Sequence, residues 1–296
     1  LWLICQDVDY PDSGPLAGLN EARRKKLDRI IALCQTHAGH LRYRYPDVAE
    51  KVCVSSNGIC TDGIEAVENL ARAMTPGCNW PSCNCPGNTK DPCGRLERDP
   101  KKIVYASSPD RGLLPLLNIF KRAREYEPSL KLSVCYGWDN IDKIVRDHPK
   151  SSWADFKRRA IPLLEQPGIT WRGRLGQPDL WREMLSAGMW VYCTGFTETS
   201  CIQCMEAQAC GCMPICSPVW ALADNVKHGW IIPGDPGDPL TLARFSDAVR
   251  RVAANPVGQE NIRREMVPWA RKKFDWEVIA SQLEEWALQP KEVTCG

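Results

Sequence analysis

Between residues 101 and 232, short apolar runs alternate with amphipathic helical stretches, and this alternation constrains the fold more than any other feature. The apolar runs cover 102–106, 131–135, 169–172, 189–193, 214–216 and 230–232. Helical periodicity fills the intervals at 113–126, 153–165, 178–187, 200–210 and 220–227. Strands separated by single helices cannot close as hairpins. Each connection has to cross over, and right-handed crossovers build a parallel sheet flanked by helices. The expected class is therefore α/β.

Upstream, residues 1–5, 29–34 and 51–55 read as three further strands, with a linker between the first two and a helix near 36–45 between the others. Asn57-Gly58 supplies a turn. A helical pattern at 63–74 runs into a Cys-, Pro-, Gly- and Asn-rich stretch at 75–94 with little to bury, so 61–100 reads as a connector or insertion. Residues 101–289 form the larger unit, helical throughout from 239, and 290–296 are a tail.

Composition narrows the function classes. With 44% apolar and 25% charged residues and a formal net charge of +2, the chain can build a core but offers no field for nucleic acid or an anionic membrane. The run Arg23, Arg24, Lys25, Lys26 reads as a solvated helix face. No apolar run approaches the ~20 residues that span a bilayer. The sequence starts inside a strand without an initiator Met, so a chain truncated at its start is expected. Several of the sixteen cysteines sit in apolar runs, where Cys acts as a small buried hydrophobe. A cytoplasmic protein with mostly reduced thiols is the expectation.

In an open parallel sheet, ligands bind beyond the carboxyl ends of the strands. Three such ends carry unusual residues. Ser107, Ser108, Arg111 and Gly112 follow the run at 102–106; small residues let a ligand approach the backbone, and Arg111 offers a forked cation suited to phosphate. Gly173 and Arg174 follow the run at 169–172, where a glycine leaves room for a flat base or ribose and equally suits a plain turn. Glu198 follows the run at 189–193, just ahead of a helix for which Thr199 or Ser200 is the expected N-cap, and Glu206 stands roughly two turns into it. Met205, Ala207 and Ala209 surround Glu206 with apolar or small side chains, so its carboxylate needs a partner.

Glu198 and Glu206 reproduce the E-x7-E spacing of retaining GT-B glycosyltransferases, and the surrounding residues resemble glycosyltransferase family 4 and its relatives. Phe196-Thr-Glu-Thr-Ser-Cys, then Glu206-Ala-Gln-Ala-Cys-Gly and Pro214, resemble that family's donor-site loop and helix. Ile169-Thr-Trp-Arg-Gly-Arg-Leu175 resembles its strand–glycine segment, and Lys102-Ile-Val-Tyr-Ala-Ser-Ser-Pro-Asp-Arg-Gly-Leu113 the opening of its donor domain. The segment 52–59 resembles the crossover out of the acceptor domain, and Phe274-Asp-Trp276 the approach to a helix that packs back on it. As an ordered set, these matches are far more specific than any one of them.

The resemblance implies two Rossmann-like domains, the first incomplete: residues 1–60 as the end of the acceptor domain and 101–289 as the donor domain. It implies that Glu198 contacts the donor sugar and Glu206 the nucleotide ribose. Arg111 and the backbone N–H groups of Thr199, Ser200 and Cys201 neutralise the departing diphosphate. Ser107, Ser108, Gly112, Gly173 and Arg174 line the donor site. The substrate is a nucleotide-diphosphate sugar, no cofactor is required, and the acceptor is an unspecified glycan, lipid or protein. The sequence departs from the family in two places. Ser107 and Ser108 stand near the position of one of two usual basic residues, and Gln6-Asp7 stands where relatives often have His-Asp.

Rival readings attach to other residues. Asp7-Val8-Asp9 matches a D-x-D metal motif, but as a common tripeptide it reads better as a turn. Cys78, Cys83, Cys85 and Cys93 could hold a structural zinc, making the loop an interaction module. Cys201-Ile-Gln-Cys204 resembles a redox C-x-x-C, yet packing inside the donor-site helix is preferred. His37 and His40 share a helix face at i, i+3 and read as surface or cleft-lining residues rather than metal ligands. An inactive nucleotide-sugar-binding fragment and a sugar-nucleotide epimerase of the same fold complete the alternatives.

Overall fold

The computed structural model of the chain describes residues 1–8, 13–73 and 97–289. Asp9, the loop at 75–94 with Cys78, Cys83, Cys85 and Cys93, and the tail at 290–296 lie outside the described residues. Two parallel sheets form. The first holds β1 (Trp2–Ile4), β2 (Arg29–Ala32) and β3 (Val52–Val54) in that order. The second holds β4 (Asp99–Tyr105), β5 (Lys131–Val134), β6 (Ile169–Trp171), β7 (Ala187–Tyr192), β8 (Met213–Cys216) and β9 (Trp230–Ile231), ordered β6-β5-β4-β7-β8-β9. Every pairing is parallel, as single-helix crossovers require.

The central strands are buried along their length because helices cover both faces. All six residues of β7 and all four of β8 are buried. The helix Leu113–Arg124 packs Leu113, Leu116, Leu117, Phe120 and Ala123 into this core, an i, i+3, i+4, i+7 stripe. The helix Asp139–Asp147 was not anticipated: it has only nine residues, buries only Ile141, and its apolar stripe, Ile141, Ile144 and Val145, is confined to a single turn among charged residues.

The two sheets are joined at one crossover and again at the C-terminus. Ile59 donates its N–H to the Phe274 carbonyl at 2.7 Å and accepts from Trp276 at 3.2 Å. Gly58 is required here, since a Cβ would stand 2.5 Å from the Trp276 ring. The helix Trp276–Leu288 then returns to the first sheet, as the resemblance implied. Gln282 accepts from Ser55 at 2.9 Å, and Gln289 from Arg29 at 3.1 Å. Among the described cysteines, Cys53 is disulfide-bonded and the others are free thiols. No described helix is long and apolar enough to cross a membrane.

Candidate functional site

The order of the second sheet reverses between β4 and β7: later strands add outside β4 as β5 and β6, then outside β7 as β8 and β9. A crevice opens at such a switch point, beyond the carboxyl ends of the strands. The loops after β4 and β7 enter it side by side. Gly112 permits this, with φ of +136° and no room for a side chain; a Cβ would lie 2.7 Å from the Cys193 carbonyl oxygen.

The short turn Pro109–Arg111 brings Arg111 over this crevice. Its guanidinium carbon lies 4.0 Å from the centroid of the Phe196 ring, and its Nη1 is 3.9 Å from Glu198 Oε1. Glu198 is buried and accepts a 2.6 Å hydrogen bond from the Tyr192 hydroxyl at the end of β7. Burial raises the Glu198 pKa, and the Tyr192 hydrogen bond and Arg111 oppose the rise. Ser107 donates to Gln203 Oε1 at 2.5 Å, Ser108 donates to Asp110, and the Ser108 carbonyl accepts from Tyr105 at 2.8 Å.

The helix after Glu198 starts later than expected. It spans Ile202–Ala209, and Cys201, in the left-handed conformation at φ +54°, takes the N-cap position in place of Thr199 or Ser200. The reason lies in their other partners. The Thr199 hydroxyl donates to the Gln6 carbonyl at 2.7 Å, and the Ser200 carbonyl accepts from Asn225. Ser200 Oγ is buried without a partner. Glu206 is consequently the fifth helical residue, a little over one turn in rather than two.

The partner that Glu206 needs is present twice over. Its Oε1 accepts from Trp181 Nε1 at 3.0 Å and Gln177 Nε2 at 2.5 Å, both on the helix Gln177–Leu185. Glu206 is only 7% exposed, and burial pushes its pKa up to about 7 against the pull of the Trp181 hydrogen bond. Gly173 follows β6 at φ +67° with open space where a Cβ would be, and Arg174 is exposed beside it.

The structure thus gathers Ser107, Ser108, Arg111, Gly112 and Glu198 at one crevice and ties Glu206 to the helix that follows β6. Sequence reasoning missed Tyr192, Phe196, Gln203, Gln177 and Trp181, which contact the candidate residues Glu198, Arg111, Ser107 and Glu206. Gln177 and Trp181 stand at i, i+4 on one helix face, a signal that needs Glu206 as its target to be read. Cys201 and Cys204 are buried with pKa values pushed well up by burial, so the packing reading of that pair holds. His37 is fully buried, its pKa lowered to about 4, chiefly by burial. Trp220 lies 5.9 Å from the His37 ring and 5.5 Å from His40. Among the described residues no group of three or more His, Cys, Asp or Glu could hold a metal.

No protein-family profile and no curated protein sequence matches the chain. Solved structures do. HepE of Anabaena in complex with UDP and glucose superposes with a TM-score of 0.65 at 12% identity, over 97% of this chain and 71% of that one. Sucrose-phosphate synthase of Thermosynechococcus elongatus gives 0.65 at 18% identity, over 97% of this chain and 66% of that one. The pneumococcal O-GlcNAc transferase GtfA in complex with UDP and GlcNAc gives 0.61 at 12%, over 96% of this chain and 51% of that one. The chain therefore spans between half and about seven-tenths of these proteins' lengths. It has the fold of GT-B glycosyltransferases.

Proposed function

We propose that the chain binds a nucleotide-diphosphate sugar at the switch point of the second sheet and takes part in transferring the sugar, with retention, to an acceptor hydroxyl. The observation that carries this reading is the meeting of Arg111 with buried Glu198 at the ends of β4 and β7. Breaking a glycosyl–phosphate bond leaves oxocarbenium character on the sugar and new negative charge on the phosphate. Arg111, held over Phe196, is a fixed cation for that charge. Glu198, desolvated yet paired, accepts hydrogen bonds from sugar hydroxyls. Glu206 accepts from the ribose diol, leaving the base to lie against Gly173.

Two solved structures of the same fold support the donor class, since HepE was captured with UDP and glucose and GtfA with UDP and GlcNAc. Residues 1–60 serve as the end of the acceptor-side domain in this proposal; the free thiols fit a cytoplasmic setting, whereas the disulfide at Cys53 points the other way. Calorimetric titration with UDP, GDP and ADP, followed by Arg111→Met, tests the reading. Binding of at least one nucleotide, weakened by the substitution, is expected. Failure of the wild-type chain to bind any of the three overturns it.

A further inference from the structure

On the reading that Glu206 holds the nucleotide, whatever aims its carboxylate governs affinity. Both protein donors reach the same oxygen, Oε1, but they differ in freedom. Gln177 is exposed in the first turn of its helix, free to change rotamer when a ligand arrives. Trp181 is 7% exposed and its ring is wedged. The wedge is Gly63: a Cβ there would stand 2.7 Å from both Cη2 and Cζ3 of the indole, so the ring lies directly on the backbone of the helix Thr61–Ala73.

That helix is itself well anchored. It begins two residues after Ile59, which bridges to Asp275, and its first residue Thr61 donates to the Asp275 carboxylate. Arg271 holds it through Glu68 at 2.7 Å and Glu65 at 3.2 Å, and also donates to the carbonyl of Ala209, the last residue of Glu206's own helix, at 3.1 Å. Glu206 is therefore approached from outside the crevice, by a chain of contacts that starts at the crossover between the two sheets.

We propose that Trp181 is the positioning residue for Glu206, and that Gly63, on the helix leaving the crossover, sets where Trp181 stands. Gly63 then has a reason to occupy the first turn of this helix, where Ala is the better helix former. Its replacement gains helix propensity and loses ligand affinity, a combination that a purely structural glycine does not produce.

The test titrates the wild-type chain and the variants Trp181→Phe, Gly63→Ala, their double and Glu206→Gln with whichever of UDP, GDP and ADP wild type binds best, with circular dichroism to check folding. Trp181→Phe keeps an aromatic ring and deletes the donor, so affinity should fall about tenfold, the worth of one hydrogen bond to a charged group. Gly63→Ala should fall comparably, and the double variant should match Trp181→Phe alone, since both act through one contact. The pH at which affinity for UDP-glucose, whose diphosphate does not titrate near neutrality, is half-maximal should also rise in Trp181→Phe, because the lost N–H favoured the carboxylate; a mere packing role leaves that midpoint in place. If Glu206→Gln weakens binding while Trp181→Phe and Gly63→Ala bind like wild type, the positioning role is wrong and the function proposed above survives. If Glu206→Gln binds like wild type, the nucleotide role of Glu206 fails and this role with it. Should Trp181→Phe not fold, unchanged affinity in Gly63→Ala overturns the proposal alone; where it folds, additive losses in the double variant overturn the link through Gly63.

Discussion

The Tyr192 hydroxyl donates a 2.6 Å hydrogen bond to Glu198, joining the last residue of β7 to the carboxylate that faces Arg111. Tyr192 is fully buried, and burial holds its own pKa far above the ordinary phenol range, so it remains a donor at every working pH. It offsets part of the desolvation of Glu198 by stabilising the charged form.

Tyr192→Phe deletes that donor at nearly constant volume. The Glu198 pKa, already raised by burial, should rise further, because the bond that favoured the charged form is gone. Sugar transfer that requires the Glu198 carboxylate then loses its acid side, and the acid limb of the kcat/KM profile moves to higher pH. A profile unmoved in Tyr192→Phe means that transfer does not depend on ionised Glu198.

The Glu206 carboxyl gives a stability prediction of definite sign. Its folded pKa of about 7 exceeds the ordinary 4.5, so the native state favours the protonated form. The stabilising contribution of this one group is whole below pH 4.5 and is lost as pH rises through the window from 4.5 to about 7, by about 3 kcal/mol at most. Glu206→Gln mimics the protonated group. It should raise the melting temperature over wild type at pH 8, with the difference shrinking toward pH 5. A variant that melts lower at pH 8 contradicts the burial origin of the shift.

Ligand affinity should show the opposite face of the same titration. Ribose hydroxyls donate to a carboxylate, so bound nucleotide draws Glu206 toward its charged form and expels a proton. UDP-glucose suits the measurement, because its doubly esterified diphosphate does not titrate near neutrality. Its affinity for wild type should rise with pH up to about 7 and then level off. In Glu206→Gln the affinity should be weaker and flat. Calorimetry in two buffers of different ionisation enthalpy reads the proton release directly.

The strand–helix alternation made the second sheet legible in the sequence, because residues buried on both faces read as continuous apolar runs. The two glutamates stood out as candidates through the family resemblance, and Glu206 also through its apolar company. What supports them did not. Tyr192 is hidden at the end of such a run, where a tyrosine reads as core. Gln177 and Trp181 lie on a different helix from Glu206, and their meaning is a matter of tertiary distance alone. The late start of the donor-site helix escaped notice for a related reason. Thr199 is a good cap by residue type, but its hydroxyl is taken by Gln6, nearly two hundred residues away in sequence.

The two glutamates should separate kinetically. Glu206 reaches a ribose that lies far from the breaking bond, so Glu206→Gln should weaken binding of the bare nucleotide and raise KM. Glu198 faces Arg111 where charge develops, so Glu198→Gln should lower kcat more than it weakens nucleotide binding. Both comparisons need turnover, measured with the acceptor-side domain complete, whereas nucleotide binding is measurable on this chain. Binding should also persist in EDTA, since Arg111 supplies the cation that metal-dependent transferases take from a divalent ion. If Glu198→Gln abolishes binding of bare nucleotide while Glu206→Gln leaves it intact, the roles are reversed. If neither substitution alters binding or turnover, the E-x7-E spacing is a coincidence and the donor lies elsewhere.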